Sequence, residues 1–487
     1  MLQGTGSDVG KSLLTAALVR IAHRSGIAVA PFKPQNMSNN AAACLDGGEI
    51  GRAQALQAQA AGLAPRVDFN PVLLKPQTDR SSQVVVHGRA RAAQDAGTYV
   101  RERGELMSPV LASFQRLANE FELILVEGAG SPAEINLRRG DIANMGFARR
   151  SGTPVCLVAD IERGGVIASL VGTQAVLDEP DAAMIVGYVV NKFRGDPRLF
   201  HTGVEAITER TGWPSFGVIP WLPDAARLPA EDAVSLESGH DAPGAALRIA
   251  APMLSRMANF DDADPLRQQP GVAFEWVPPG TPIPRTCDVI LLFGTKSTLG
   301  ELAFLRAQGW DHDILAHARS GGRVLGICGG YQMLGRCIHD PEGRDGPPGS
   351  ATGLGLLNVE TAMDRDKVVR PVQGSCATTA APVAAYEIHT GSTQGDDCQR
   401  PMFDIDGRAD GAHSADGRIA GTYLHGIFTG DAFRESWVQG ILGRKPPAFA
   451  YAASVEAALE ALADHVQASV DVDALFACAR AVPTSEL

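Results

Sequence analysis

The nine residues Gly4-Thr5-Gly6-Ser7-Asp8-Val9-Gly10-Lys11-Ser12 constrain this chain more than any other stretch. A glycine-rich lead closing in Gly-Lys-Ser, followed at once by a helix-forming run over 13–23, specifies a phosphate loop between a strand and a helix. In such a loop backbone N–H groups cradle phosphate oxygens, the lysine (Lys11) reaches the β/γ phosphates, and the hydroxyl (Ser12) holds Mg²⁺. Five residues separate Gly4 from Gly10-Lys11-Ser12, one more than in the usual pattern. Only Met1-Leu2-Gln3 precede the loop. A feeding strand normally has about 5–6 residues, so its true start is expected upstream.

A phosphate loop implies a parallel sheet, and the rest of the first half supplies one. Residues 27–32 read as a second strand. The apolar run Phe121-Glu122-Leu123-Ile124-Leu125-Val126 reads as a buried parallel strand and closes in Glu127. A carboxylate at the carboxyl end of such a strand faces the ligand crevice, so Glu127 is a candidate Mg²⁺ ligand beside Ser12. The runs 155–159 and 184–190 repeat the pattern, ending in Asp160 and Asn191, and 216–220 is a last short strand. Between them lie polar loops dense in amides: Lys33-Pro34-Gln35-Asn36-Met37-Ser38-Asn39-Asn40, a glutamine-rich helix over 53–61, and Asn70-Pro71-Val72-Leu73-Leu74-Lys75-Pro76. Either these are ordinary loops with glutamines on a solvated face, or the amides with Lys33, Lys75 and Arg80 line a pocket for a large substrate rich in carboxylates and amides.

The stretch 236–246 reads as a linker. A second alternation of strands and helices follows, with strands over 247–251, 272–277, 289–293 and 324–327. The last of these enters Gly326-Ile327-Cys328-Gly329-Gly330-Tyr331-Gln332. Gly-x-Cys-x-Gly at a strand-to-helix turn is the thiol form of a nucleophile elbow. The alternative is a buried structural cysteine beside a tight turn. A thiol nucleophile needs a base. His312, His317, His339, His389, His413 and His425 are available; His425, at the end of Gly421-Thr422-Tyr423-Leu424, has the rigid placement a base needs, and His389 is second. The tail over 454–481 is alanine-rich and reads as helical.

With 487 residues, the chain is long enough for two or three domains. A net charge of −12 argues against nucleic acid or an anionic membrane as main partner. No apolar run approaches the ~20 residues needed to span a bilayer, and a phosphate loop stands where a signal peptide would have its apolar core. Eight scattered cysteines without metal-ligand spacing are expected to be reduced thiols of a cytoplasmic protein.

Together these motifs resemble the cobyric acid synthase family, the glutamine-hydrolysing amidotransferases of cobalamin biosynthesis. The phosphate loop is similar to that of dethiobiotin-synthetase-like ATPases. The resemblance is carried by Phe32 to Ser38, Asn70 to Pro76, Glu127-Gly128-Ala129-Gly130-Ser131-Pro132-Ala133-Glu134-Ile135-Asn136-Leu137 and Asn191-Lys192-Phe193-Arg194-Gly195-Asp196. In the second half it is carried by Gly294-Thr295-Lys296-Ser297-Thr298, the cysteine elbow, Tyr386 to His389 and Tyr423 to Gly426.

The resemblance implies an α/β chain of two doubly wound parallel-sheet domains with a short helical tail. These are a P-loop NTPase-like ATP-binding domain (1–235), the linker (236–246), a flavodoxin-like class I glutaminase (247–435) and a C-terminal helical extension (436–487). It implies ATP and Mg²⁺ as cofactors and glutamine and a corrinoid as substrates. No nucleic acid or membrane partner is implied, and no oligomeric state is specified. Gly4, Thr5, Gly10, Lys11, Ser12 and Asn191 would bind ATP, and Ser12 and Glu127 the metal. Lys33, Gln35, Asn36, Asn70 and Lys75 would meet the corrinoid. Cys328 and His425 would be catalytic, with an oxyanion hole from the amides of Gly329 and one near Gly294. The implied reaction is amidation of the b, d, e and g carboxylates of cobyrinic acid a,c-diamide through acyl phosphates. Phe293 stands where the family usually has proline, and Phe69 where it has methionine. Ile427 occupies the position at which many glutaminases of this fold carry glutamate, so a Cys–His dyad is expected. The competing readings are a cobyrinic acid a,c-diamide synthase and a non-enzymatic P-loop ATPase switch.

Overall fold

The computed structural model describes the chain except residues 79–80, 230, 232–243, 364–366 and 483–487, and the side chains of 92 and 93. Arg80 and most of the expected linker lie outside the described residues. The first sheet is parallel. Leu2–Gly4 pairs with Val155–Asp160, which is followed by Ile185–Phe193 and Ser215–Pro220. On its other side a parallel bridge from Leu2 to Glu127 continues the sheet to Leu123–Val126 and Val29–Phe32. The first strand has three residues, and the Met1 amino group donates to Pro154 O at 2.8 Å beyond its end. Side chains alternate across the sheet. Cys156 and Val158 pack under the phosphate-loop helix Lys11–Arg24, whereas Val155, Leu157 and Ala159 pack against Val166, Leu170 and Ile207 on the opposite face.

The second domain has parallel strands in the spatial order Val272–Val277, Leu247–Pro252, Val289–Leu292, Arg323–Ile327, Ile419–Thr422. Numbered along the chain this is 2-1-3-4-5, the flavodoxin-like doubly wound order. Ala412–His413 adds an antiparallel edge.

Two further sheets add to these cores, the first mixed, with Gln35–Met37 parallel to Val72–Pro76, and the second antiparallel. One contains Gln35–Met37, Val72–Pro76, Ser81–Val86 and Arg89–Asp95; the other is built around Val368–Cys376 and Pro382–His389. A small hairpin, Ala41–Ala43 with Glu49–Gly51, sits between them. Ala41, Leu73 and Val85 of the first domain form one apolar cluster there with Ile388 of the second.

The tail departs from the expected division. Helix Asp431–Leu442 runs across the boundary placed at 435/436, so that boundary is not a break in the chain's structure. The tail expected to be helical over 454–481 forms two helices, Tyr451–Ser469 and Val472–Ala477, the second capped by the Asp471 side chain accepting from Ala474 N at 3.0 Å. The longer one returns to the first domain and packs along Lys11–Arg24. Val455, Leu459, Leu462 and Val466 join that domain's core, each burial worth roughly 1.5–3 kcal/mol. Arg20 and Arg24 pair with Glu456, Glu460 and Asp464 along the same contact. Gly217 bridges Val470, and a Cβ at Gly217 would come within 2.1 Å of Ser469 O.

Among the described residues no helix is long and apolar enough to cross a membrane, and all eight cysteines are unpaired.

Candidate functional site

The phosphate loop turns on Gly10, whose φ of 93° lies in the left-handed region. A Cβ there would also come within 2.3 Å of Asn191 Nδ2. Asn191 leaves the end of Ile185–Phe193 and donates to Val9 O at 2.8 Å, while Lys192 donates to Asp8 O at 2.5 Å. Thr5 N donates to Val158 O at 2.9 Å, holding the loop on the sheet. Lys11 Nζ donates to Gly6 O at 3.2 Å, and a Cβ on Gly4 would lie 2.7 Å from that ammonium.

Below the loop two carboxylates converge on one hydroxyl. Ser12 Oγ lies 2.7 Å from Glu127 Oε1 and 2.7 Å from Glu231 Oε2, and its single proton serves one of them at a time. Lys33 Nζ bridges both, at 2.8 Å and 3.1 Å. Burial works against the charge on Glu231, but Lys33, Ser12 and Asn36 outweigh it and hold the carboxyl below its usual range. Lys33, buried between two carboxylates, is held above the usual lysine range. Burial lowers Lys11 instead. The glutamine-rich helix Arg52–Ala60 does not turn its amides to solvent alone: Gln54 and Gln57 are buried, and Gln57 Nε2 donates to Glu127 Oε2 at 2.6 Å.

The residues expected at the corrinoid divide into three groups. Lys33 and Asn36 enter this centre; Asn36 Nδ2 donates to Glu231 Oε1 and Gln54 Oε1, both at 2.8 Å. Gln35 accepts from Tyr99 OH at 2.5 Å. Asn70 and Lys75 go elsewhere. Buried Asn70 staples three segments: its amide donates to Lys33 O and Val72 O and accepts from Gly51 N. Lys75 crosses to the second domain's cavity, described next.

Cys328 begins helix Gly329–Leu334 at φ 52° and ψ −110°, a strained backbone for a residue with a side chain. The flanking glycines are obligatory. A Cβ on Gly326 would come within 2.6 Å of Gly330 O, and one on Gly330 within 2.0 Å of Leu292 O. Gly294 closes the site from the side: a Cβ there would lie 3.0 Å from His425 Cε1 and 3.5 Å from Cys328 Cβ. His425 is buried, stacks on Tyr386 with ring centroids 5.4 Å apart, and lines one cavity with Cys328, whose thiol donates to Ile388 O at 3.5 Å. His389 lines the same cavity but stacks on Tyr423 and lies 3.6 Å from Glu387.

The expected dyad is incomplete as a description. His425 Nδ1 meets Asp262 Oδ2 at 2.7 Å, and Asp262 Oδ1 accepts from Gly426 N at 2.5 Å. Asp262 lies in the turn after Met257–Ala258, 163 residues before His425 in sequence. Ile427 is fully buried in the apolar core, so the acid reaches the histidine from another segment. Burial alone would deprotonate His425; Asp262 and Cys328 outweigh it and push its pKa up to about 10.

The cavity at Cys328, of about 40 Å³, is lined also by Lys75, Lys296 and Lys367. Buried Glu49 sits between Lys75, at 2.9 Å, and Lys367, and Lys296 lies 3.8 Å from Asp345. The lysines outweigh burial and hold Glu49 at about 2. Burial, with Lys75 and Lys296, pushes Lys367 down to about 7 against the pull of Glu49. Sequence reasoning missed Asp262, Glu231, Lys296, Lys367 and Glu49. Lys296 lies within the Gly294–Thr298 run that carries the resemblance, but nothing local assigns any of the five a role, because each acts through a partner distant along the chain.

Family models match each half of the chain. Residues 1–236 match the CobQ/CobB/MinD/ParA nucleotide binding domain, and residues 248–433 the CobB/CobQ-like glutamine amidotransferase domain. The chain is 62% identical over 481 residues to the cobyric acid synthase of Hyphomonas neptunium, covering 99% of this chain and 97% of that protein. It is 61% identical over 480 residues to that of Paracoccus denitrificans, covering 99% of each. A chain with a phosphate loop over paired carboxylates, a cysteine elbow and full-length similarity of this order belongs to the cobyric acid synthase family.

Proposed function

We propose that this chain converts the b, d, e and g carboxylates of a cobyrinic acid a,c-diamide to amides, using ATP and glutamine. The observation that carries this reading is the presence, in one chain, of a phosphate loop over two carboxylates and a Cys328–His425–Asp262 array. A carboxylate does not react usefully with ammonia, because hydroxide leaves poorly and the anion repels nucleophiles. Transfer of the γ-phosphoryl of ATP to the carboxylate oxygen makes phosphate the leaving group. Lys11 and the loop amides hold the transferring phosphoryl, and the acceptor carboxylate is assigned to Lys33 and Asn36, which would turn to it from their present partners. The oxygen donors of Ser12, Glu127 and Glu231 fit Mg²⁺, which when bound would neutralise phosphate charge.

At the second centre Cys328 Sγ attacks the side-chain amide carbon of glutamine. The amides of Gly329 and Gly294 are the donors assigned to the oxyanion. His425 gives its proton to the departing ammonia, held in orientation by Asp262, and a thioester remains. Water then attacks the thioester carbon, glutamate leaves, and the Cys328–His425 pair is restored. Ammonia displaces phosphate from the acyl phosphate. The lysine wall suits the α-carboxylate of glutamine, which would also keep Lys367 protonated. A non-enzymatic ATPase switch leaves the second array without a purpose.

Mass spectrometry of cobyrinic acid a,c-diamide incubated with the chain, ATP, Mg²⁺ and glutamine tests the reading. Four successive amide additions are expected. Cys328→Ala is expected to abolish additions from glutamine and spare those from free ammonia; loss of both overturns the two-centre scheme.

A further inference from the structure

One helix of the ATP-binding domain touches both centres. Gln54 and Gln57 of Arg52–Ala60 hold Glu127 beneath the phosphate loop. Arg52, at the start of that helix, faces the other domain. Gln57 lies only five positions, about 7.5 Å of helix, beyond Arg52. The Arg52 guanidinium forms an ion pair with Asp261 at 2.9 Å, the neighbour of Asp262. It also hydrogen-bonds Tyr386 OH and Ala41 O, and lies 5.3 Å from the centroid of the Tyr386 ring. Tyr386 is the ring on which His425 stacks. The contacts of Arg52 with Asp261 and Tyr386 therefore fall on the neighbours of the His425–Asp262 pair.

A second seam reinforces the first. Asn259 N donates to Asn40 Oδ1 at 2.7 Å, and the Asn259 side chain clasps the Ala41 backbone from both sides, at 3.2 and 3.1 Å. Asn259 Nδ2 also donates to Tyr386 OH at 2.9 Å. Asn259 directly follows Met257–Ala258, which pairs with the Gly294–Thr295 strand beside Cys328. Asn40 in turn reaches Glu231 O at 3.3 Å.

We propose that Arg52, supplied by the ATP-binding domain, is a positioning residue for the glutaminase centre: it pairs with Asp261 and fixes the Tyr386 ring so that Asp262 stays aligned on His425. This rests on reading Cys328 and His425 as the glutaminase. The charge arithmetic supports it. Asp261, Asp262 and Asp264 are neighbours in a buried turn. Apart from Arg52, the cations facing them are Arg267, 3.2 Å from Asp264, and His425 itself. Tyr451 faces Asp261 and Asp264 from the tail helix, and Cys328 faces His425 from the elbow. Burial pushes the Asp261 and Asp264 carboxyls up, Asp264 to about 7, and Arg52 opposes this at Asp261; without the guanidinium Asp261 loses its ion pair and Tyr386 a hydrogen-bond donor. The glutaminase is then complete only when docked on the domain that consumes its ammonia.

The test compares full-length wild type, Arg52→Met, Arg52→Lys and Cys328→Ala. It reads glutamine hydrolysis (kcat, KM and pH profile) and ammonia-supported amidation of cobyrinic acid a,c-diamide. Arg52→Met is expected to lower glutamine kcat about tenfold or more, with KM changed less than about threefold. The basic limb of kcat/KM, on which His425 loses the proton it donates, is expected to move to higher pH, since losing a nearby cation raises the pKa of His425. Ammonia-supported amidation is expected to persist, and Arg52→Lys to restore part of the kcat. Wild-type kinetics and pH profile in Arg52→Met overturn the proposal. So does parallel loss of both activities, or no recovery in Arg52→Lys. Glutamine use surviving Cys328→Ala overturns instead the glutaminase reading on which the proposal rests.

Discussion

At the scale of single residues, the chain separates what a backbone must do from what a charge must meet. The Cys328 elbow was legible because a positive-φ cysteine between glycines that a Cβ would wreck leaves a contiguous signature. His425 was legible as a histidine at a strand end. Asp262 was not: one of three nearby aspartates in a short turn, it becomes the partner of His425 only through the fold. Asp262→Asn is expected to cut glutamine kcat by about 10²–10⁴ while ammonia-supported amidation persists, measured by steady-state kinetics. The same substitution removes the main force raising His425. A histidine whose folded pKa is about 10 gives stability fully present below its unfolded value of about 6.5 and lost as pH rises towards 10. Thermal unfolding of the wild type should therefore lose stability across that window, and the loss should be smaller in Asp262→Asn.

Among the elements, the parallel strands were read correctly because apolar runs ending in Gly, Asp, Asn or Glu mark strands buried on both faces. The tail helix was read as a helix, but its destination was not. Its apolar stripe is equally compatible with solvent-facing association or with either core; the fold docks it on Lys11–Arg24. Leu459→Ala is expected to destabilise the protein by about 2–5 kcal/mol, seen as a lower unfolding temperature. Glu456→Ala, which removes a half-exposed ion-pair partner of Arg20, should cost about 1 kcal/mol or less. The glutamines of Arg52–Ala60 show the opposite failure. Their polarity suggested solvent or substrate, yet two of them are buried because a carboxylate at a strand end needs donors around it.

For the whole molecule, the decisive feature is that the glutaminase cavity is not built by its own domain alone. Lys75 reaches it from the first domain and shares Glu49 with Lys367. Lys75→Met is expected to raise the KM for glutamine about tenfold and leave ammonia-supported amidation intact, measured by titrating glutamine against a fixed ammonia control. The amino-acid sequence by itself determined the two parallel sheets, the phosphate loop, the cysteine elbow and the family. Each of these depends on backbone geometry that neighbouring residues impose on one another, so it is written in contiguous letters. The tertiary structure alone decided that Asp262 completes the histidine, that Glu231 joins Glu127 at Ser12, that Lys75 serves the second centre, and that the tail closes the first domain. Parallel sheets bring together strand ends and loops far apart along the chain. A buried charge then takes whichever opposite charge the packing brings within about 3 Å, and nothing local in the sequence names that partner.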